Sequence, residues 1–386
     1  MDHSAGRPVE PRVIEAMLPY MKSSYGNPSS LHVLGQEAKR AVEEARAKVA
    51  GLINAEKKES IIFTSGATES NNLAIKGVAN RNKDRGTRIL TSSVEHMSIV
   101  NPCKFLTTKG FEVVFLPVDK YGFLNLENLQ KELTDKTILV SIVYANNEIG
   151  TIEPIKEISR IVHAKNAYLH VDGTIACGQI PVDVKNEGID LLTISSNDMY
   201  GPRGMGAVYI KEGIRLEPLF HGGGQERGLR SGTENVASIV GFGKAAEIAK
   251  REMRMESVRL TKLRDRFIEG LLKPIPYSFL NGHPTTRLPD NVSVRYSFIE
   301  GESMLLSLDM MGVCASSGSA CTAKTLEPSH VLLAIGLKHE EAHGSLMFTL
   351  GRHNTEEEVD YAASLMPDIV KRLRNMSPLT PKELKT

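Results

Sequence analysis

The chain has no tryptophan and only four cysteines among its 386 residues. So few thiols, so widely spaced, exclude the disulfide framework of a small secreted protein and favour a reduced, cytoplasmic one; they are Cys103, Cys177, Cys314 and Cys321. No apolar run approaches the roughly 18 residues of a membrane-spanning helix. The N-terminus, MDHSAGRPVEPRV, lacks a basic segment followed by an apolar one, so we predict no secretion signal.

The chain also lacks an excess of either charge, with 47 lysines and arginines against 46 aspartates and glutamates. A balanced charge gives no reason to expect a nucleic-acid or membrane surface. The length suffices for one large and one small domain with a substantial buried core.

Short β-rich runs alternate with helical or polar segments over the first two thirds of the chain. The runs are 60–64, 88–92, 112–116, 137–144, 168–171, 190–195 and 207–210, and a helical stripe covers Ala38 to Leu52. This pattern predicts an α/β fold with a mostly parallel, doubly wound sheet, whose functional groups lie beyond the carboxyl ends of the strands. A charged helix over 247–272 leads into a smaller α+β part. We therefore predict a large domain of residues 15–255 and a small domain of residues 1–14 and 256–386.

Two features of the large domain are compatible with a phosphorylated cofactor. Ser65 and Gly66 form a small-residue turn between a strand and a helix, where free N–H groups could bind an anion. Asp172 ends the strand YLHVD, where a carboxylate could pair with a protonated ring nitrogen. Each feature alone is also typical of an ordinary turn or helix cap.

The order of seven sequence blocks is more specific. They are SGATE (65–69), EHMS (95–98), ANNEIGT (145–151), HVDGT (170–174), SSNDMYGPRG (195–204), HGGGQERGLRSGT (221–233) and SSGSACT (316–322). This order resembles the cysteine desulfurases of the IscS/NifS type, class-V aminotransferases of pyridoxal phosphate (PLP) fold type I. The resemblance extends from near the first residue to about residue 360.

The resemblance implies a PLP site shared within a homodimer. The phosphate would bind Ala67, Thr68 and Ser195, together with Thr233 of the partner subunit. His96 would stack on the ring, Asn147 would lie near the ring hydroxyl, and Asp172 would pair with the ring nitrogen. In this family the substrate is L-cysteine, the product is L-alanine, and the sulfur passes to a scaffold protein for iron–sulfur clusters.

Cys321 matches the family cysteine that accepts the sulfur as a persulfide. Its segment, ASSGSACTAKTLEPSH, is rich in Gly and Ser, which favours an exposed loop. A thiolate is needed for this chemistry, so nearby cations such as Lys324 and His96 matter. The other three cysteines lack such surroundings, and we interpret them as structural.

Four departures from the family pattern fall at positions expected to contact the ring or the substrate. Asp198 replaces the lysine that forms the Schiff base with PLP, and Asn197 replaces the adjacent histidine. Ile175 replaces a glutamine near the ring oxygen, and Met347 replaces the arginine that binds the substrate carboxylate. The N-terminal segment also reads SAGRP where the family has SATTP, which introduces Arg7. A carboxylate cannot form an imine, so desulfuration of L-cysteine is doubtful.

Two functions remain open within this resemblance. The protein could be a desulfurase that holds sulfur on Cys321, with Lys324 as a conceivable replacement amine. It could instead be a non-catalytic dimeric platform that docks an IscU-like scaffold and lends Cys321 as a transient ligand of a [2Fe-2S] cluster. Its sulfur would then arrive as sulfide or from another donor.

Two motifs suggest unrelated hydrolases. His339 and His343 match the H-E-x-x-H pattern of zinc hydrolases, but Gly344 and a strand-like run follow at once, leaving at most about two helical turns. The HGGG segment at 221–224 resembles an esterase oxyanion loop, but no G-x-S-x-G nucleophile motif accompanies it. We therefore regard the zinc hydrolase as a remote alternative.

Overall fold

A seven-stranded sheet forms the centre of the protein in a computed structural model that describes residues 1–317 and 328–385. Its strand order is β1-β7-β6-β5-β4-β2-β3. The strands are β1 (Ile61–Thr64), β2 (Arg88–Ser92), β3 (Glu112–Leu116), β4 (Thr137–Val143), β5 (Tyr168–Asp172), β6 (Leu191–Ser195) and β7 (Gly206–Ile210). Only β7 runs against its neighbours, so the prediction of a mostly parallel sheet is confirmed.

Helices cover both faces of this sheet. They are α1 (Pro11–Lys22), α2 (Val33–Leu52), α3 (Ala67–Arg81), α4 (Met97–Thr107), α5 (Leu126–Glu132), α6 (Ile155–His163) and α7 (Val236–Leu272). Alternate residues of a strand enter opposite cores: Ile61 and Phe63 pack with α2 and α7, whereas Ile62 packs with α3 and α4. A strand buried on both faces explains the continuous apolar runs in the sequence.

Helix α7 is 37 residues long and begins at Val236, earlier than the start predicted at 247. Two glycines in its first turns, Gly241 and Gly243, weaken the helical pattern in the sequence. Gly243 is required by packing, because a Cβ atom there would lie 2.5 Å from the Cα of Ala45 in α2. The missing side chain therefore lets the two helices approach closely.

A second, smaller core forms where α7 continues beyond the sheet. It contains the antiparallel strands β8 (Ser278–Leu280), β9 (Asn291–Tyr296) and β10 (Ser345–Thr349). The accompanying helices are α8 (Gly301–Asp309), α9 (His330–Ala334), α10 (His339–His343) and α11 (Glu356–Met376). Phe267 of α7 and Phe348 of β10 meet edge to face at 4.9 Å in this core. In the part of the chain that the structure covers, no helix has both the length and the apolar composition to cross a membrane.

A buried ion pair connects α2, β1 and the segment before α7. Both Nη atoms of Arg46 lie 2.7 Å from the carboxylate oxygens of Glu226. Arg46 also donates to the carbonyl of Ile61, and the amide of Phe63 donates to Glu226. These bonds hold Glu226 and Arg227 at positive φ, 45° and 57°, where non-glycine residues are uncommon.

We expect Glu226→Ala to lower the free energy of unfolding by about 3–5 kcal/mol, because it removes two bonds of the buried Arg46 guanidinium and leaves only the partly exposed Glu43 as its counter-charge. The matched control is Glu212→Ala, which removes an exposed ion pair with Lys57 and should change stability by less than about 1 kcal/mol. Chemical denaturation of both variants measures the difference. Equal losses would show that the buried pair does not stabilise this junction.

Candidate functional site

A cavity of about 270 Å³ opens beyond the carboxyl ends of the parallel strands. It lies where the turns after β1, β2, β4, β5 and β6 converge and where β10 of the small sheet approaches them. Its lining residues are Ser4, Ala5, Ala67, Thr68, His96, Ser98, Val143, Ala145, Asn147, Glu148, Asp172, Thr174, Ile175, Asn197, Asp198, Ser316, Ser317 and Met347. Most of the site residues predicted from the sequence therefore meet in one place.

The N-terminus of α3 forms one wall of the cavity. Gly66 precedes the helix at φ +143°, a backbone conformation that favours glycine, and no side chain caps the helix. Ala67 and Thr68, the first two residues of α3, line the cavity. Their N–H groups lack a partner within the helix, and the positive end of the helix dipole points the same way, so this wall suits a phosphate.

Two other predicted phosphate residues are placed differently. Ser195 is buried at the end of β6, close to the carboxyl group of Asp198, and it is not among the residues that line the cavity. Thr233 is exposed and also lies outside this lining. Its expected role concerns the partner subunit and stays a prediction.

Asp172 is held at the end of β5 by two hydrogen bonds. Its carboxylate accepts one from the Asn71 side-chain amide at 2.8 Å and one from the Thr174 backbone amide at 3.0 Å. Each carboxylate oxygen has a further lone pair, so Asp172 can still accept a hydrogen bond from a ligand. The same Asn71 amide nitrogen donates to Ser98, which fixes Asp172 and Ser98 relative to each other.

His96 is the N-cap residue of α4. Its Nδ1 atom accepts a hydrogen bond from the backbone amide of Ser98 at 3.1 Å and lies 2.8 Å from the Ser98 hydroxyl. Because Nδ1 accepts, the ring proton of the neutral form belongs on Nε2. This local cap orients the imidazole at the cavity wall, where it is available to pack against a planar ligand.

Asp198 lies in a short 3₁₀ turn, Asn197–Met199, directly after β6. It is only 6 % exposed although it lines the cavity. Burial raises the pKa of its carboxyl group, and the hydrogen bond from Ser195 and the charge of Arg7 only partly oppose this effect. Among the described residues that line the cavity, none is a lysine or an arginine.

The nearest buried cation is already paired with another carboxylate. Arg7 Nη2 lies 2.7 Å from Asp290 Oδ2, and both side chains are almost fully buried. The Arg7 guanidinium also lies 5.1 Å from the centroid of the Tyr200 ring, which Arg352 approaches at 5.0 Å. Arg7 therefore acts on Asp198 through its charge, while its direct ion pair is with Asp290.

The other departures from the family pattern line the same cavity. Met347 lies in β10, is 6 % exposed, and pairs with Ser316 through two backbone hydrogen bonds. Ile175 packs against the main core, and Asn197 lies next to Asp198. An alkyl group, a thioether, an amide and a carboxylate thus line the cavity at the four positions where departures were predicted.

Glu148 is a lining residue that the sequence analysis missed. It belongs to the block ANNEIGT, next to Asn147, and its carboxylate accepts a hydrogen bond from the Ser329 hydroxyl. Burial raises the pKa of Glu148 to about 7. The sequence signal for this residue was its charge, because Glu148 is the one acidic residue in the block ANNEIGT.

The predicted thiol lies outside the described residues, as does Lys324. Both belong to the segment 318–327, so the roles of Cys321 and Lys324 stay predictions. Cys103 and Cys177 are buried, as expected of structural cysteines. Cys314 is exposed, so the expectation of a structural role was wrong for this residue.

The zinc-hydrolase motif lies away from the cavity. Helix α10, which carries His339 and His343, has five residues, and both histidines are exposed. Within residues 1–317 and 328–385, no group of three or more His, Cys, Asp or Glu side chains is arranged to hold a metal ion. No observation therefore favours this alternative.

Comparison with known proteins gives a consistent result over almost the whole chain. Residues 1–362 match the family Aminotransferase class-V. Cysteine desulfurase IscS 1 of Archaeoglobus fulgidus is 59 % identical over 378 residues, 98 % of each chain. Cysteine desulfurase IscS of Methanosarcina thermophila is 54 % identical over 386 residues, covering all of this chain and 95 % of that protein. A solved NifS-like protein superimposes with a TM-score of 0.90 at 38 % identity, covering 96 % of this chain and 99 % of its own.

We expect Asp198→Asn to stabilise the ligand-free protein by about 1 kcal/mol near neutral pH, because it removes a buried carboxylate whose ionisation opposes folding. The pKa of Asp198 is raised in the folded state, so its cost appears as pH rises above the ordinary carboxyl range. The gain should therefore shrink as pH falls towards about 4. Denaturant titrations at several pH values measure it, with the exposed Asp84→Asn as control. A gain independent of pH would contradict the assignment.

Proposed function

This chain belongs to the aminotransferase class-V family, and we propose that it serves iron–sulfur cluster assembly as a cysteine-desulfurase-type protein that supplies or holds sulfur on Cys321. The family match over residues 1–362 and the two IscS relatives above 50 % identity support this role. The fold, PLP-dependent transferase fold type I, is the same as that of the NifS-like protein. A cytoplasmic homodimer that works with an IscU-like scaffold is part of the proposal.

The cavity fits most of the PLP molecule. The free N–H groups of Ala67 and Thr68 suit the phosphate, His96 suits the ring face, Asn147 suits the ring hydroxyl, and Asp172 suits the ring nitrogen. When bound, PLP would supply an electron sink for charge that develops on the substrate. The aldehyde end does not fit in the same way, because Asp198 is placed where the family has its lysine.

The carboxylate of Asp198 in the cavity is the observation that carries the catalytic part of this proposal. No described lining residue offers an amine that could attach to the cofactor or move a proton on the substrate. Loss of a positioned proton-transfer group costs about 10²–10⁴-fold in rate. We therefore propose that the protein desulfurates free L-cysteine slowly or not at all.

Met347 removes a second requirement of that reaction. Its thioether is a weak acceptor and carries no charge, so it cannot replace the bidentate bonds of an arginine to the substrate carboxylate. Ser316 and Ser317 line the same part of the cavity but are neutral as well. An amino-acid substrate would thus lose both its attachment point and its orientation.

The alternative is a non-catalytic platform, and the same two residues favour it. In this case the homodimer docks the scaffold and the Cys321 thiolate serves as one ligand of a transient [2Fe-2S] cluster. Sulfide already has the oxidation state of cluster sulfur, so it could supply the sulfur without any redox step at Cys321. The retained cavity would then bind a cofactor without turning over cysteine.

We expect sulfide release from L-cysteine by the unmodified protein, with PLP and a thiol reductant, to be at least about 100-fold slower than that of Asp198→Lys/Met347→Arg. The single variant Asp198→Lys should show the visible absorbance of lysine-bound cofactor but little activity, because the substrate carboxylate stays unclamped. A methylene blue assay with added PLP measures the rates. Unmodified-protein turnover equal to that of the double variant, surviving Lys324→Ala, would contradict the proposal.

We expect Cys321→Ser to remove the cluster from the complex purified with an IscU-like scaffold, or to lower its occupancy several-fold, because a thiolate ligand is lost. Cys314→Ser is the matched control, since Cys314 is an exposed free cysteine seven positions earlier and should leave the spectrum unchanged. Visible and Mössbauer spectra of the anaerobic complex measure the cluster. An unaltered cluster in the Cys321 variant would exclude its role as a ligand.

A further inference from the structure

The cavity is lined by several carboxyl groups and, among the described residues, by no lysine or arginine. The carboxyl groups are the three of Glu148, Asp172 and Asp198. In a site expected to receive a phosphorylated molecule, this balance disfavours a ligand that is negative throughout. The carboxylates must instead face positive groups of the ligand or remain partly protonated.

Two of these three groups have their hydrogen-bond donors supplied by the protein. Glu148 accepts from Ser329, and burial raises its pKa to about 7, so it readily becomes neutral. Asp172 accepts from Asn71 and Thr174 and lies where the family pattern expects a protonated ring nitrogen. Both can thus be accommodated around a pyridine ring with no other cation.

Asp198 differs in its position, since by the sequence resemblance it replaces the residue that meets the reacting end of the cofactor. Like Glu148 and Asp172, it has no ion-pair partner among the described residues. Its carboxyl group lies close to the neutral hydroxyl of Ser195, and Arg7, the buried cation whose charge acts on it, is bonded to Asp290 at 2.7 Å. A buried carboxylate with one neutral donor is costly unless a ligand brings a cation to it. The cavity is therefore complementary to a ligand with a positive group at the position of Asp198.

We propose that this cavity selects the amine form of the cofactor, pyridoxamine 5′-phosphate, over the aldehyde form, with Asp198 binding the ligand ammonium group. This inference rests on the proposed function, because it assumes that the cavity is the cofactor site of the family. In that family the residue at this position attaches to the C4′ carbon, so its side chain approaches that atom. In pyridoxamine phosphate the same carbon bears an ammonium group.

The charges of the amine form pair one by one with the protein. The phosphate meets the N-terminus of α3, the ring nitrogen meets Asp172, and the ammonium meets Asp198. The aldehyde form offers neither a cation nor a hydrogen-bond donor at C4′ and leaves Asp198 buried and unpaired. Charge-assisted hydrogen bonds of this kind contribute enough to separate the two forms by roughly ten- to hundredfold in affinity.

The same set of charged side chains disfavours an amino acid as the ligand that brings a positive group to Asp198. An amino acid brings a carboxylate together with its ammonium group, and Met347 leaves that carboxylate without a positive partner. The amine form of the cofactor brings its ammonium group without any carboxylate. Asp198 thus favours a ligand with an amine, and Met347 disfavours the amino-acid substrate of the family.

Isothermal titration of the cofactor-free, full-length protein with three phosphorylated pyridines tests this inference. Pyridoxine 5′-phosphate is the matched control, since it has a neutral hydroxymethyl group in place of the aminomethyl group and forms no imines. We expect pyridoxamine phosphate to bind roughly ten- to hundredfold more tightly than pyridoxine phosphate. Asp198→Asn should abolish this preference without weakening pyridoxine phosphate, since that ligand brings no cation to Asp198, whereas Asp172→Asn should weaken both ligands.

Four results would each overturn the inference. Two concern the preference: equal affinities for the amine and hydroxymethyl forms, or a preference that persists in Asp198→Asn. The other two are tighter binding of PLP than of pyridoxamine phosphate, and no binding of any of the three ligands. These outcomes are distinct from failure of the proposed function, which is judged by the Cys321 cluster and by sulfide release. A protein that holds a cluster through Cys321 but binds no vitamer would keep its role in cluster assembly and lose its cofactor selectivity.

Discussion

The buried ion pair between Arg7 and Asp290 determines whether Asp198 in the cavity has a direct counter-charge. It joins residues 283 positions apart and places an N-terminal side chain next to the residue that precedes β9. Both groups are almost fully buried, so neither can be left alone without a large cost. Because Asp290 takes the guanidinium, Asp198 is left without a direct ion-pair partner among the described residues. If Arg7 instead paired with Asp198, the cavity would be close to neutral at this point and would have no reason to bind an amine.

The departures from the family pattern form one coherent change because they share one cavity. The four predicted departures, Asp198, Asn197, Ile175 and Met347, all line the space in which a ring and a substrate would lie. The wall that suits phosphate and the carboxylate of Asp172 are retained. In that cavity Asp172 is fixed by two donors and Asp198 is buried. Retention of a shaped, acidic site agrees better with binding of a cofactor than with turnover of cysteine.

Much of the fold could be predicted from local patterns, since every β-rich run became a strand within one residue of its expected bounds. The reversed direction of β7 could not, because a buried strand has the same apolar pattern whichever way it runs. The early start of α7 was hidden by Gly241 and Gly243, whose role is contact with other helices rather than helix propensity. The pairing of Arg7 with Asp290 was beyond sequence reasoning, although the arginine in SAGRP stood out. Ser195 was expected at a phosphate; it is buried and is not among the residues that line the cavity, so that role stays a prediction.

We propose that Asp198 turns a site for an aldehyde into a site for an amine. Chemical identification of the vitamer that the protein carries when purified without added cofactor tests it most directly, by denaturation and chromatography of the released ligand. The account predicts that the released vitamer is predominantly pyridoxamine 5′-phosphate and that none is covalently attached to the described part of the chain. Release of PLP as the predominant vitamer would contradict it.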